Sequence, residues 1–185
     1  MLLVTGGSQG ALAVNRAVAS WLDAGGLGNA TLVWVTGRAS YSEFLRYHAP
    51  PSVQVIDFLD PMADAYAVAD LVLSRAGMIT VAEVCAWGLP SILVPLPTAA
   101  ADHQTHNARA MAEAGAAVHL SQHDLVQHGL GPALQSLLRE PSARAGMAAA
   151  ARRRGRPDAA HDIVSLLLTL VHPTEAFANT GNVLH

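Results

Sequence analysis

The stretch Ser74–Pro95, SRAGMITVAEVCAWGLPSILVP, decides the fold. It reads as the end of a buried strand (Leu71–Leu73), a turn over Ser74–Gly77, a helix over about Met78–Trp87, a break at Gly88-Leu89-Pro90, and a second buried strand over Ser91–Val94. Gly77, just before the helix, is expected to let the backbone turn sharply and to leave the first helical amides open. Unpaired N–H groups at the positive end of a helix dipole form a seat for an anion such as a phosphate. Thr80 adds a hydroxyl in the first turn. Glu83 lies roughly 8–9 Å from the helix start at the usual rise per residue. That is too far to meet the same phosphate, but it suits a ribose diol attached to one. The same three residues also read, with no ligand, as a turn glycine, a half-buried spacer and a solvated helix carboxylate. Spacing alone leaves both readings open.

Outward from this unit the same grammar repeats. Leu2–Val4 is an apolar run that ends in Gly6-Gly7-Ser8-Gln9-Gly10, and the helix after it has Leu12, Val14, Val18 and Leu22 at helical spacing. Ser8 stands at the mouth of that turn, placed to cap the helix, to touch a ligand, or both. The glycines are spaced GGxxG, not GxGxxG, and no acidic residue closes the second strand, so a dinucleotide site is not indicated. Thr31–Thr36 is the second strand, Gly37-Arg38 its turn, and a helix is expected around Tyr41–Tyr47. Val53–Ile56 is the third strand, and Pro61 suits the first turn of a helix through Ala69. Past Pro95, a loop of small residues leads into Asp102-His103-Gln104-Thr105-His106-Asn107 and a helix to about Ala114. Ala117–Leu120 is the sixth strand, and the rest is alanine-rich and largely helical, broken near Gly129, Pro141 and Pro157.

Apolar strands alternating with helices predict an α/β fold, a doubly wound, Rossmann-like parallel sheet of about six strands covered on both faces. Loops at the carboxyl ends of such strands line the binding crevice, and Ser8, Gly37, Leu59, Ser74–Met78 and Pro97–Gln104 all fall there. One domain is expected over 1–171, with a loosely held polar tail over 172–185.

Composition narrows the chemistry. Of 185 residues, 51% are hydrophobic and 14% charged, which supports a sizeable core. The net charge of −3 gives no electrostatic case for nucleic acid. All eleven basic residues are arginine, which excludes a Walker A lysine, a Schiff base and a lysine general base. The single cysteine, Cys85, falls mid-helix among apolar neighbours and reads as a core residue. His103 and His106 share a helix, but no set of residues has convincing metal-ligand spacing, so no metal and no cofactor are expected. Met1 runs straight into an apolar strand, which does not read as a signal peptide. Arg152, Arg153, Arg154 and Arg156 read as a solvated face at a helix C-terminus, with anionic lipid head groups as the competing reading.

Four stretches in this order and spacing carry a resemblance: GGSQGA (Gly6–Ala11), FLDPMADAYAVAD (Phe58–Asp70), SRAGMITVAEVCAWGLPSILVP (Ser74–Pro95) and DHQTHNA (Asp102–Ala108). The chain resembles the C-terminal, donor-binding half of the MurG family. These are inverting glycosyltransferases of the GT-B fold that add N-acetylglucosamine from its UDP donor to the undecaprenyl-linked muramyl-pentapeptide in bacterial peptidoglycan synthesis. The likeness implies that Gly7 and Ser8 meet the donor near its diphosphate and that Leu59 holds the uracil through its backbone. It implies that Arg75 stands by the diphosphate, and that Gly77, Met78, Ile79, Thr80, Val81, Ala82 and Glu83 form the donor-binding helix. Glu83 would take the ribose hydroxyls, and Gln104, with Asp102 and His103 beside it, the N-acetylglucosamine. The implied place of work is the cytoplasm, at the inner face of the cell membrane.

Two departures qualify the likeness. The family's N-terminal half, with its acceptor site and its candidate base, does not appear in this sequence, so no catalytic residue is assigned and the chain alone is expected to bind donor with little turnover. The tail after Val171 matches nothing in the family. Related retaining transferases carry a glutamate eight positions before the one corresponding to Glu83; here that position is Arg75, which disfavours retention. Two competing readings are a UDP-N-acetylglucosamine 2-epimerase-like enzyme of the same architecture, against which DHQTHNA argues, and a nucleotide-binding module without chemistry.

Overall fold

The computed structural model describes residues 1–6 and 11–171. Six strands, β1 (Leu2–Thr5), β2 (Leu32–Val35), β3 (Val53–Ile56), β4 (Leu71–Ser74), β5 (Ser91–Leu93) and β6 (Ala117–His119), form one sheet in the order β3-β2-β1-β4-β5-β6. Every pairing is parallel, with Leu2 beside both Leu32 and Leu71, and Ile92 between Leu73 and Val118. The two central strands are fully buried, while edge strand β3 shows Gln54 to solvent.

Alternation along the strands sends side chains into two separate cores. Leu2, Val4, Leu71, Leu73 and Ile92 face one side, where they meet Val14 and Val18 of α1 (Leu12–Asp23), Leu125 of α6 (Gln122–His128) and Leu134 of α7 (Gly131–Arg139). Leu3, Val72 and Leu93 face the other, against α3 (Met62–Val68), α4 (Met78–Trp87), α5 (His103–Glu113) and α8 (Pro141–Arg154). An all-parallel sheet hidden on both faces is why the strands read as unbroken apolar runs. The chain thus leaves β1 for one face and β4 for the other.

Three local expectations are corrected. The helix around Tyr41–Tyr47 is one α-turn, α2 (Tyr41–Phe44), that tightens into a 3-10 turn over Leu45–Tyr47, where the His48 amide bonds back to the Leu45 carbonyl. Pro61 is the extended N-cap of α3 and not its first turn, with ψ 144°. Gly77 has ordinary extended dihedrals, φ −65° and ψ 148°, so its backbone does not require glycine. A Cβ there would meet nothing within 4 Å, and the missing side chain leaves open space in front of the helix.

Two other glycines hold α4 in place. Gly88 closes the helix in the left-handed conformation at φ 65°, with the stem of Arg152 lying over it. Gly155 lets the end of α8 approach so closely that a Cβ would stand 2.8 Å from the Cys85 carbonyl oxygen.

The contacts divide the chain into two compact units, Met1–Gly155 and Arg156 onward. In the second, α9 (Ala159–Val171) carries Ile163, Leu166, Leu167 and Leu170 and has no buried residue. Among the described residues no helix is long and apolar enough to cross a membrane. The expected tail over 172–185 lies outside the described residues.

Gly155→Ala forces a methyl against backbone atoms that cannot rotate away. It is expected to cost about 1–3 kcal/mol in urea-unfolding stability; an unchanged midpoint would contradict the close approach of α8 to α4.

Candidate functional site

Where β1 and β4 send their chains to opposite faces, a cleft of about 620 Å³ opens at their carboxyl ends. Its floor is Thr5 and Val35, one wall is the Phe58–Asp60 segment after β3, and the other is the first turns of α4. A larger depression of about 780 Å³ lies at the amino ends of the strands, near Trp21, Asn29 and Arg139. The smaller cleft is lined by the uncapped first turn of α4 and lies at the switch point of the sheet, so it is the better seat for a phosphate.

The α4 wall is built for that role. Gly77 provides no side-chain cap and the first turn holds no acid, so the amides of Met78, Ile79 and Thr80 face outward. The first helical bond is made by Val81, whose amide reaches the Gly77 carbonyl at 2.9 Å. Met78 and Ile79 are 75% and 72% exposed, unusual for large apolar side chains in a structured helix start. Opposite them, the Asp57 carboxylate accepts the Phe58 amide at 2.8 Å. Arg38 lays its guanidinium 4.8 Å from the centre of the Phe58 ring. Among the described residues the N–H and C=O of Leu59 have no protein partner, so both stay available at the cleft.

Of the residues singled out in the sequence, Leu59, Gly77, Met78, Ile79, Thr80 and Glu83 come together here. Val81 is packed against the core and Ala82 faces solvent, and neither lines the cleft. Gly7 and Ser8 lie outside the described residues. Asn15 of α1, 1% exposed, donates from Nδ2 to the Thr36 carbonyl at 2.8 Å and accepts from Trp34 Nε1 at 2.9 Å, tying α1 to the carboxyl end of β2.

Arg75 has partners other than a diphosphate. Its guanidinium donates to the Val94 and Pro95 carbonyls at 3.3 and 3.0 Å and to Gln122 Oε1 at 2.8 Å. It stands behind the turn and binds β5 to α6. Burial pushes its pKa down, though an arginine keeps its charge.

The DHQ residues occupy the next loop along the sheet. Ala101 and Asp102 both take left-handed dihedrals, φ 48° and 53°, before α5 begins. For residues other than glycine that costs about 1–2 kcal/mol each, a strain tolerated where the chain must be aimed. Gln104 accepts the Leu96 amide at 3.0 Å through Oε1, and among the described residues its two N–H donors have no protein partner. His103 Nδ1 lies 2.7 Å from the Ala100 carbonyl, so Nε2 is the free ring nitrogen. Asp102 accepts the Thr105 hydroxyl. Asn107, to which the sequence assigned no role, donates to the Ala76 carbonyl at 3.0 Å and fastens α5 to the turn before α4. Among the described residues no group of three or more His, Cys, Asp or Glu is placed to hold a metal.

Tyr66 was also missed. The residue is 3% exposed, its hydroxyl donates to Glu83 Oε2 at 2.9 Å, and both residues border the cleft. An aromatic at helical spacing in Ala-Tyr-Ala-Val reads as core, and only the fold brings it to the carboxylate.

Residues 1–163 match the family model described as glycosyltransferase family 28 C-terminal domain. The chain is 45% identical over 174 residues to the UDP-N-acetylglucosamine–N-acetylmuramyl-(pentapeptide) pyrophosphoryl-undecaprenol N-acetylglucosamine transferase of Salinibacter ruber, covering 92% of this chain and 46% of that protein. The protein of the same name from Xanthomonas campestris pv. campestris is 46% identical over 169 residues, covering 90% and 40%. The crystal structure of Acinetobacter baumannii MurG superposes with a TM-score of 0.79 at 33% identity, over 91% of this chain and 49% of that one. The chain spans about half the length of the relatives it matches.

Arg75→Met removes the donors from two buried carbonyls. It is expected to lower unfolding stability by about 1–3 kcal/mol, measured by chemical denaturation; a variant as stable as the parent would show that the guanidinium is not structural.

Proposed function

Because the chain belongs to glycosyltransferase family 28 as its C-terminal domain, we propose that it is the donor-binding half of an inverting N-acetylglucosaminyltransferase that uses UDP-N-acetylglucosamine. The observation that carries this reading is the pairing, in one cleft, of open first-turn amides on α4 with Glu83 further along the same helix. The diphosphate sits on the amides of Met78–Thr80, and the family likeness adds Ser8 and Gly7 as contacts. The uracil edge is read by the free N–H and C=O of Leu59, a contact any side chain permits. Glu83 accepts the ribose hydroxyls. The Gln104 amide, aimed by the Leu96 bond and the left-handed turn, meets the sugar hydroxyls, with Asp102 and His103 beside it. Arg75 serves this site from behind, by holding the turn that precedes α4.

The chemistry assigned to this half is departure of the leaving group. As the acceptor hydroxyl attacks the anomeric carbon, the bond to the diphosphate breaks and negative charge grows on its oxygen. Preorganised amides at a helix start stabilise that charge without having to reorganise. The general base that takes the acceptor proton lies on the remainder of the parent protein, as does the site for the lipid-linked muramyl-pentapeptide acceptor. The product is the disaccharide-bearing lipid intermediate of peptidoglycan synthesis, made at the cytoplasmic face of the membrane. Arg153 and Arg154, exposed at the end of α8, supply positive charge suited to anionic head groups there.

Calorimetric titration tests the reading. UDP and UDP-N-acetylglucosamine are expected to bind and ADP-ribose is not, with Glu83→Ala losing about 1–3 kcal/mol for the hydrogen bonds to a charged acceptor. Equal binding of adenine and uridine ligands, or an indifferent Glu83→Ala, would sink it.

A further inference from the structure

The bond between Tyr66 and Glu83 has a geometry that a plain helix-to-helix staple does not require. Tyr66 is almost wholly buried on α3, its ring 6.4 Å from that of Trp87 and packed in the core with α4, and it borders the cleft. The donor reaches one oxygen only, Oε2 of Glu83, at 2.9 Å. Among the described residues Glu83 has no other hydrogen-bond or ion-pair partner, so Oε1 keeps its accepting capacity for a ligand. A glutamate on an exposed helix turn samples many rotamers, and ordering such a side chain on binding costs about 0.5–1.5 kcal/mol. Here one oxygen is already tethered by a rigid aromatic donor with two rotatable bonds.

We propose that Tyr66 is a positioning residue for ribose recognition: by holding Oε2 of Glu83 it presents the carboxylate to a cis-diol, and so sets the preference for a ribonucleotide over its 2′-deoxy counterpart. The inference rests on the placement of the nucleotide in this cleft and adds a second residue, on a different element, to the Glu83 contact. Burial, and then the bond to the Glu83 carboxylate, push the Tyr66 phenol well above the ordinary tyrosine range. The hydroxyl therefore stays protonated throughout the neutral and mildly alkaline range and remains a donor. A 2′-deoxyribose offers one hydroxyl where ribose offers two, and a carboxylate fixed in orientation distinguishes them better than one free to turn.

The test uses the 185-residue chain, titrated with UDP and with 2′-deoxy-UDP, as wild type, Tyr66→Phe, Glu83→Ala and the double variant. Tyr66→Phe keeps the ring and its packing, and thermal unfolding of each variant checks the fold. The expected result is a loss of about 3- to 10-fold in UDP affinity for Tyr66→Phe, the range of one hydrogen bond, with a smaller loss for 2′-deoxy-UDP, so that the preference narrows. In the Glu83→Ala background Tyr66→Phe is expected to change neither affinity. Equal losses for both nucleotides, or the same loss without Glu83, would make Tyr66 a structural residue only. Wild-type affinities in Tyr66→Phe, with Glu83→Ala weakened, would overturn the inference and leave the nucleotide placement standing. If UDP fails to bind the folded wild type, or Glu83→Ala binds it normally, the placement itself fails and the inference with it.

Discussion

Everything in this domain follows from the divergence of two neighbouring parallel strands. β1 and β4 lie side by side at the centre of the sheet, yet the chain leaves one for the face that holds α1 and the other for the face that holds α4. Right-handed crossovers in an open parallel sheet permit such a reversal at one place, and there the loops part instead of packing on each other. The cleft is the gap that results. No side chain has to be spent on opening it, so the residues around it are free to be chosen for what they bind.

The site is held from behind by groups that do not reach it. Arg75 fixes the turn before α4 by bonding to the carbonyls that end β5. Asn107 bonds the same turn to α5 through the Ala76 carbonyl, and Asn15 joins α1 to the end of β2. These are buried or half-buried polar groups with their partners in place, which makes each one expensive to remove and gives the loops between them a defined position. The apolar and small residues of α4 and α8 do the complementary work. Gly155 and the alanines of α8 let that helix lie closely against α4.

Much of this was legible in the sequence, for a physical reason. Parallel strands buried on both faces must be continuous apolar runs, and helices between them must carry the helical period, so Leu2–Val4, Leu71–Leu73 and Met78–Trp87 announce themselves. The open amides of α4 were equally readable, since a helix that begins after glycine, with no capping side chain, has no other way to satisfy them. What the sequence hid are facts of tertiary geometry. Gly77 looked like a backbone requirement and is an absence of bulk. Arg75, next to the turn in sequence, looked like a ligand contact, but its side chain points to strand ends nineteen and twenty residues on. Tyr66 sits seventeen residues before Glu83 on another helix, and nothing in its apolar neighbourhood marks it as polar in function. The left-handed pair Ala101-Asp102 carries no glycine or asparagine to signal it.

The central claim is that the cleft between β1 and β4, and not the larger depression at the other end of the sheet, receives a uridine diphosphate sugar. Amide-resolved NMR titration of the chain with UDP-N-acetylglucosamine tests this most directly. The account predicts that the largest shifts fall on the amides of Leu59 and Gly77–Thr80, with smaller ones at Gln104. Shifts gathered instead around Trp21, Asn29 and Arg139, with the start of α4 unmoved, would contradict it.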